Sequence, residues 1–294
     1  MDLKSPVPHL GPVGVFSWGV VTRPAAEVRS AVRTIEGMGY GAIWFPESWG
    51  REAFTAASLV LEATDRIVVA TGIASIWARD PMAAALGAFG LAEAHPGRFL
   101  LGLGVSHAPS VTRRGHQYGK PLGRMAEYLD ALESISSPLD EGDHPAVVLA
   151  ALGPQMLSLA ARRTAGAHPY FVPVSHSAFA RERIGPGPLI APEQAVVIET
   201  DTDRARAVAR NHMERYLLLD NYRRNLLRLG WSEPDVAAGG SDALVDAIVG
   251  WGDAAAVAAR AREHLDAGAD HVSIQPLGDA WGLDELEALA SALI

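Results

Sequence analysis

Short apolar segments alternate with helix-patterned segments along the whole 294-residue chain. This alternation is typical of parallel strands joined by crossover helices. The predicted strands are 13–18, 42–45, 67–74, 99–105, 147–152, 169–172, 194–200 and 271–276, and a helical pattern follows each of them. Eight such units predict an α/β fold, the (β/α)8 TIM barrel.

The connection before strand eight is longer than the others. About seventy residues separate the seventh and eighth predicted strands, which is more than one crossover helix needs. Helical patterns at 203–219, its continuation to Leu229, 242–249 and 254–267 fill the gap. We therefore expect one domain over residues 1–294, with a helical insertion at 203–267. Residues 177–192 are rich in Gly and Pro, and we interpret them as a mobile lid or as an ordinary surface loop.

Composition narrows the classes of partner. The chain has 25 Lys and Arg against 34 Asp and Glu, so its net charge of −9 gives no overall basic field for nucleic acid or anionic lipid. Cys is absent, which excludes disulfides and thiolate chemistry. The start of the chain has no signal-peptide pattern, and no apolar stretch approaches about 18 residues. We expect a cytoplasmic protein that binds neither nucleic acid nor membrane.

Polar side chains follow the predicted strands at the end where barrel enzymes place their working groups. They are Glu47 and Ser48 after strand two, Ser75 after strand three, Ser106 and His107 after strand four, and Ser175 and His176 after strand six. These residues are the first candidates for the site.

Four tryptophans follow strands that are neighbours in a closed barrel. They are Trp18, Trp49, Trp77 and Trp281, after strands one, two, three and eight. We therefore expect one half of the barrel mouth to be an aromatic surface that accepts a ring. The alternative is that these tryptophans pack under loops or at a subunit contact.

The opposite half of the mouth suits an anion. Gly153 and Pro154 follow strand five and open a helix, whose free N–H groups and dipole favour negative charge, and Ser175 adds a hydroxyl. The two halves together suit a phosphorylated aromatic cofactor lying across the mouth.

Other barrel chemistries fit poorly. The ten histidines lack the close spacing of a metal-ligand set, so no metal is expected. The two lysines, Lys4 and Lys120, lie outside the predicted strands, which disfavours Schiff-base chemistry.

Four segments resemble one known family in the same order along the chain. They are Trp44-Phe45-Pro46-Glu47 with Gly50-Arg51-Glu52-Ala53-Phe54, Ala70-Thr71-Gly72-Ile73-Ala74, Pro96-Gly97-Arg98-Phe99 running into Gly102-Leu103-Gly104-Val105-Ser106-His107, and Ala267-Gly268-Ala269-Asp270-His271-Val272. The chain thereby resembles the bacterial-luciferase-like oxidoreductases, and within them the branch that uses the deazaflavin coenzyme F420. That family has a (β/α)8 barrel with an enlarged connection before the last strand.

The resemblance assigns cofactor contacts. It implies a non-prolyl cis peptide bond between Gly72 and Ile73 that forms a bulge behind the cofactor ring. It places Glu47 against the ring, Ser75 and Val105 where the ring or its tail is held, and Gly153, Pro154 and Met156 around the phosphate. From their positions after strands four and six, we expect Ser106 and Ser175 to bind the cofactor as well. The predicted substrate pocket consists of Trp18, Ser48, Trp49, Trp77 and His176.

Two departures from the related sugar-phosphate dehydrogenases change the acid–base set. Ser48 stands where they carry a catalytic His, and His107 corresponds to their second acid–base carboxylate. The late strands also lack a Lys that could bind a sugar phosphate. Oxidation of sugar phosphates is therefore disfavoured.

The resemblance implies reversible hydride transfer between C5 of the deazaflavin and a small organic substrate, an alcohol–carbonyl pair or an activated double bond. We expect His107 to be the acid–base group, with hydrogen bonding to the cofactor as its alternative role. We expect Glu47 to orient the ring or assist proton transfer, with a helix cap or an ion pair to Arg51 as the alternative.

Two other functions stay open from the sequence. One is an FMN-dependent monooxygenase that uses O2, because both cofactors present a ring and a phosphate. The other is a non-catalytic flavin-binding paralogue, suggested by Ser48. An apolar patch from the early helices predicts a homodimer.

Overall fold

The computed structural model describes residues 1–138 and 144–294. The strands are β1 (Val13–Phe16), β2 (Ala42–Phe45), β3 (Val68–Thr71), β4 (Ala74–Ser75), β5 (Phe99–Gly104), β6 (Val147–Leu149), β7 (Gly166–Ala167), β8 (Leu189–Ile190), β9 (Glu193–Ile198), β10 (Gly250–Gly252) and β11 (Val272–Pro276). The helices are α1 (Gly19–Thr22), α2 (Ala25–Gly37), α3 (Ala53–Leu61), α4 (Pro81–Ala94), α5 (Ala108–Arg113), α6 (Pro121–Glu133), α7 (Pro154–Arg163), α8 (Val174–Ile184), α9 (Thr202–Leu217), α10 (Asp220–Arg228), α11 (Asp242–Ile248), α12 (Ala254–Asp266) and α13 (Leu283–Leu293).

The strands form one curled sheet in which the described pairings are parallel. The order is β10-β9-β11-β1-β2-β3-β5-β6-β7-β8, and β4 pairs with β5. Residues 189–198 close the barrel, because β8 at the start of this segment pairs with β7 while β9 at its end pairs with β11. The predicted (β/α)8 barrel is thus confirmed.

The barrel strands are apolar because helices cover their outer face and side chains fill the interior. Trp44 lies at the centre of that interior and is fully buried. Its indole N–H donates to His271 Nε2 at 3.1 Å, and His271 Nδ1 donates to the Gly11 carbonyl at 2.8 Å. Burial lowers the pKa of His271 to about 4, so the ring stays neutral and can accept this bond.

The sixth strand predicted from the sequence is wrong. Residues 169–172 are not a strand, and β7 (Gly166–Ala167) takes its place in the sheet, between β6 and β8. Phe171 has a φ of 57°, in the left-handed region, so the chain turns there and cannot continue a ladder.

Residues 177–192 are mostly regular structure, neither a lid nor a loop, because they contain most of α8 and all of β8. Arg181 accounts for the compact turn between them. Its guanidinium donates to the carbonyls of Gly185, Pro188 and Gly268 at 2.7 to 3.1 Å and pairs with Asp270 at 2.6 Å.

The helical insertion contains α9 to α12 and one strand that the sequence did not predict, β10, which extends the sheet beside β9. Its helices pack on the barrel through Phe171 and Val197, against Met213, Tyr216 and Tyr222. The insertion therefore lies over one side of the barrel and brings side chains of α9 and α10 toward the strand ends.

A carboxyl group is buried where the insertion meets the barrel. Glu193 in β9 is 1% exposed, and its Oε2 accepts the Phe171 N–H at 3.2 Å. Its Oε1 has no partner among the described residues. Burial raises the pKa of Glu193 to about 8, partly offset by the Phe171 N–H and by Arg215. Glu193 is therefore protonated in the folded protein at neutral pH.

Glu193→Gln is expected to flatten the pH dependence of stability. The unfolded carboxyl ionises near pH 4.5, whereas the folded one keeps its proton to about pH 8. Its stabilising contribution is therefore complete below pH 4.5 and is lost as the pH rises to about 8. Urea unfolding of the variant should show several kcal/mol less loss of stability between pH 5 and 9. The exposed Glu127→Gln is the control, and parallel curves for Glu193→Gln and wild type would contradict this.

Gly102→Ala is expected to destabilise the barrel by about 3 kcal/mol or more. A Cβ at Gly102 would lie 1.9 Å from the Thr71 carbonyl oxygen, where β3 and β5 are held together by Thr71 Oγ1. Gly123→Ala in α6 is the matched control, because nothing lies within 4 Å of its Cβ. That variant should gain about 0.5 to 1 kcal/mol from helix propensity. Equal unfolding free energies for the two variants would refute the close-approach argument.

Candidate functional site

A cavity of about 620 Å³, here called the site cavity, opens at the carboxyl ends of the strands. This is the end at which barrel enzymes hold their ligands. The predicted site residues that line it are Trp18, Glu47, Ser48, Trp49, Gly72, Ile73, Val105, Ser106, His107, Gly153 and Met156. The barrel thus brings together residues from five of the predicted strand ends.

Five other predicted residues do not line this cavity. Ser75 is buried behind it, and Pro154 is the first residue of α7, directly after Gly153. Ser175 is exposed in the first turn of α8. Trp77 and His176 are corrections to the predicted substrate pocket. The Trp77 indole donates to the Val105 carbonyl at 2.9 Å, and buried His176 holds its Nε2 3.0 Å from the Leu152 carbonyl.

The Gly72–Ile73 peptide bond at the floor of the cavity is cis. Its two ends are tied to the rim of β2, because the Gly72 N–H donates to the Phe45 carbonyl at 2.7 Å and the Glu47 N–H donates to the Ile73 carbonyl at 3.1 Å. A Cβ at Gly72 would lie 2.9 Å from His168 Nε2, so only glycine fits beside that ring. The resemblance correctly indicated this bond.

His168 lines the site cavity and has one unpaired ring nitrogen. Its Nδ1 lies 2.7 Å from the Ala191 carbonyl and therefore carries the hydrogen. Its Nε2 is buried without a partner among the described residues. Burial lowers the pKa of His168 to about 4, so Nε2 keeps its lone pair at neutral pH. The ring stacks on Trp44 with centroids 4.4 Å apart, which fixes its plane.

The Glu47 carboxylate is held on every side. Its Oε2 accepts the Ser75 N–H at 2.8 Å and its Oε1 the Ala53 N–H at 3.3 Å, while Arg79 binds both oxygens. Arg51 takes no part, because its guanidinium binds the carbonyls of Val20 and Arg23. Glu47 is therefore an ion-paired anion that ties β2, β4 and the start of α3 together.

His107 is half-buried at the N-cap of α5, beside the mouth of the cavity. Its ring centroid lies 5.4 Å from that of Tyr222 in α10. Burial lowers the pKa of His107 below its usual 6.5, and an interaction with the Asn221 side chain opposes this shift. The imidazole is consequently neutral at pH 7 and can accept a proton.

The opposite end of the cavity can hold an anion. Gly153 is the N-cap of α7 and has no side chain to accept the first-turn N–H groups. The Arg228 guanidinium lies close by, with Nη2 3.7 Å from the position that a Gly153 Cβ would occupy. Helix dipole, free N–H groups and guanidinium together favour a phosphate.

Sequence reasoning missed several residues at or beside the site cavity. They come from the insertion, from the barrel interior and from the loop between β4 and α4. They are Arg79, His168, Tyr170, Arg215, Tyr216, Tyr222 and Arg228. The only local signal was the density of Arg and Tyr between 215 and 228, which is unusual for a crossover helix.

Two features are absent from residues 1–138 and 144–294. No helix there combines the length and apolarity that a membrane crossing requires. No cluster of three or more His, Asp or Glu there has the geometry to hold a metal ion.

Two solved structures that bind or depend on F420 share this fold over nearly their whole length. An F420-dependent secondary alcohol dehydrogenase in complex with an F420–acetone adduct has a TM-score of 0.75 at 14% identity, covering 96% of this chain and 99% of that one. The F420-dependent tetrahydromethanopterin reductase of Methanopyrus kandleri has a TM-score of 0.70 at 15% identity, with coverages of 98% and 99%.

An FMN-binding protein is similar to nearly the same extent. The oxygenating constituent of 3,6-diketocamphane monooxygenase from Pseudomonas putida, in complex with FMN, has a TM-score of 0.68 at 14% identity, covering 96% of this chain and 98% of that one. At such identities these likenesses show the fold alone.

Sequence relatives and a family model identify the family. A Mycobacterium tuberculosis protein provisionally named a coenzyme F420-dependent oxidoreductase is 32% identical over 120 residues. The match covers 40% of this chain and only 34% of that protein. The family model described as luciferase-like monooxygenase matches residues 9–271. The chain therefore belongs to the luciferase-like family of oxidoreductases.

Proposed function

We propose that the protein is an F420-dependent oxidoreductase that transfers a hydride between C5 of the deazaflavin and a small organic substrate, either an alcohol–carbonyl pair or an activated double bond. The observation that carries the proposal is the pairing, in one cavity, of the buried His168 acceptor with the anion-binding start of α7. The provisional name of the mycobacterial relative and the two F420-dependent structural neighbours support the choice of cofactor.

The residues of the site fit such a cofactor. The pyrimidine edge of a deazaflavin carries a ring N–H, which would satisfy the unpaired Nε2 of His168. Gly72 and Ile73 at the floor and Val105 at the wall would lie against the ring. Gly153, Met156 and Arg228 would hold the phosphate at the other end. Pro154 and Ser175 would contribute only through the helix starts to which they belong.

His107 would transfer the hydroxyl proton of the substrate. Oxidation of an alcohol releases a hydride from carbon and a proton from oxygen, and the bound deazaflavin supplies the chemistry that accepts the hydride. The neutral His107 imidazole would accept the hydroxyl proton and return it in the reverse direction. Ser48 and Trp18, in the same cavity, would line the substrate end.

Glu47 would act as a positioning residue. Its two oxygens are occupied by Arg79 and by two backbone N–H groups, so it has no free lone pair directed at a substrate proton. It instead anchors the segment Ile73–Ser75 to the end of β2, beneath the place where the ring would lie.

FMN-dependent oxygenation is the second candidate function. The P. putida neighbour is in complex with FMN on the same fold, and the family model carries the description of a monooxygenase. The site contacts described above use a ring and a phosphate, which FMN also has. The cofactor titration below separates the two candidates.

We also infer a homodimer, formed through the outer face of α4. Met82 and Leu86 are 60% and 42% exposed on that face, and Gly90 leaves it flat for close approach. The cytoplasmic location predicted from the sequence stays a prediction.

The first experiment titrates the protein with F420 and with FMN, following the fluorescence of each cofactor. We expect micromolar or tighter binding of F420 and at least about tenfold weaker binding of FMN. Arg228→Met should weaken F420 binding about tenfold by removing a charge-assisted phosphate contact. Arg223→Met, on the same helix, is the control. Preference for FMN would transfer the protein to the oxygenase function, and binding of neither would favour a non-catalytic paralogue.

His107→Gln is expected to lower the turnover of secondary alcohols about a hundredfold, because the amide cannot accept the hydroxyl proton. F420 affinity should stay within about twofold of wild type. In wild type, the rate of alcohol oxidation should fall at acid pH, as His107 becomes protonated below its lowered pKa. The variant should lose that step. Wild-type turnover by His107→Gln at full cofactor occupancy would remove His107 from the mechanism.

A further inference from the structure

Three cavities meet at one arginine. Beside the site cavity lies a second cavity of about 690 Å³, here called the side cavity, between α9 and the loop that follows β11. A third of about 310 Å³ lies near α1. Trp18 and Arg215 line all three. Arg113, another cation of the site cavity, lines neither of the others.

The Arg215 guanidinium is held in place by aromatic rings. Its Cζ lies 5.2 Å from the Trp18 ring centroid and 4.7 Å from the Tyr216 ring centroid. Tyr216 is fixed in turn, because its hydroxyl lies 2.8 Å from that of Tyr170, which donates to Gln275 Oε1 at 2.9 Å. A cation–π contact on two rings orients a guanidinium without neutralising it.

No carboxylate neutralises Arg215. Within residues 1–138 and 144–294 it takes part in no ion pair, unlike Arg206 and Arg210 on the same helix. Buried Glu193 acts on it electrostatically, but that carboxyl is protonated at neutral pH. Asp279 lines the side cavity and accepts the Trp281 N–H at 2.9 Å, without pairing with Arg215. The guanidinium therefore presents a free positive charge to the cavities.

A second unused donor lies beside it. The Trp18 indole N–H is buried and has no partner among the described residues. An indole nitrogen can only donate, so an oxygen acceptor is the group that would satisfy it. A guanidinium and an indole N–H together match the two oxygens of a carboxylate. Asp279 in the side cavity disfavours a doubly charged phosphate by repulsion.

We propose that Arg215 and Trp18 anchor a carboxylate of the substrate, so that the substrates are organic acids bearing the reacting alcohol, carbonyl or double bond. This inference rests on the proposed function for the reacting group. Arg215 and His107 line the same cavity, so an acid held at Arg215 can present its reacting carbon toward His107. The side cavity accommodates the rest of the acid.

Calorimetric titration of the cofactor-free protein with benzoate tests the anchor, with benzamide as the neutral probe of the same shape. Benzoate should bind more tightly than benzamide. Arg215→Met should weaken benzoate binding at least about tenfold, with partial recovery in Arg215→Lys, and Trp18→Phe should weaken it about threefold. Arg224→Met, an exposed arginine outside the three cavities, should bind benzoate as wild type does. Benzamide, whose carbonyl oxygen is uncharged, should lose less affinity than benzoate in Arg215→Met and Trp18→Phe.

Several outcomes would overturn the anchor. Equal binding of benzoate by Arg215→Met and wild type is one, and no preference for benzoate over benzamide is another. Displacement of benzoate by lower concentrations of inorganic phosphate would reject the carboxylate class. A loss of F420 affinity in Arg215→Met that exceeds the loss for benzoate would assign the anion to the cofactor. Failure of wild type to bind F420 would refute the proposed function and leave the benzoate result standing.

Discussion

The buried ion pair between Glu47 and Arg79 connects the parts of the barrel from which the site is built. One carboxylate receives N–H groups from Ala53 and Ser75 together with the guanidinium. Because each of these donors belongs to a different segment, the end of β2, the end of the third barrel strand and the start of α3 share one fixed point. A buried carboxylate that lost the guanidinium would leave an uncompensated charge, so the pair constrains the rim more strongly than an exposed pair would. The floor of the site cavity depends on this arrangement.

The site has a rigid half and a half supplied by the insertion. The floor and the walls come from strand ends, where close packing leaves no space for a side chain at Gly72 or Gly102. Two of the cations, Arg215 and Arg228, come from α9 and α10, which pack on the barrel through an aromatic cluster around Phe171. Binding of the cofactor ring is therefore proposed for the barrel. The insertion would contribute Arg228 to the cofactor phosphate and Arg215 to selection of the substrate. An altered insertion would change the substrate while the barrel kept the ring.

Much of the fold was predictable because its signal is local. Apolar periodicity predicts the strands at 42–45 and 99–104 and the helices of the insertion. Capping residues mark helix starts, as Asp80 does for α4 and Asp253 for α12. The prediction of a strand at 169–172 was wrong because Phe171 is apolar yet has a left-handed backbone. Apolar periodicity does not show this conformation. The prediction of a lid or loop at 177–192 was wrong because Gly and Pro indicate turns but do not show their contacts. Arg181 binds the carbonyls of Gly185 and Pro188 and so makes the turn compact.

Residue order and short motifs suffice to predict the barrel, the end at which its cavity opens and the family resemblance. The partner of each polar group depends instead on the folded arrangement. Arg79, not Arg51, binds Glu47, and His168 rather than His176 reaches the site cavity. Among the described residues Arg215 has no ion-pair partner, whereas Arg206 and Arg210 on the same helix pair with Asp242. The physical reason is that charge pairing and burial are properties of distances in space, which a one-dimensional pattern does not contain.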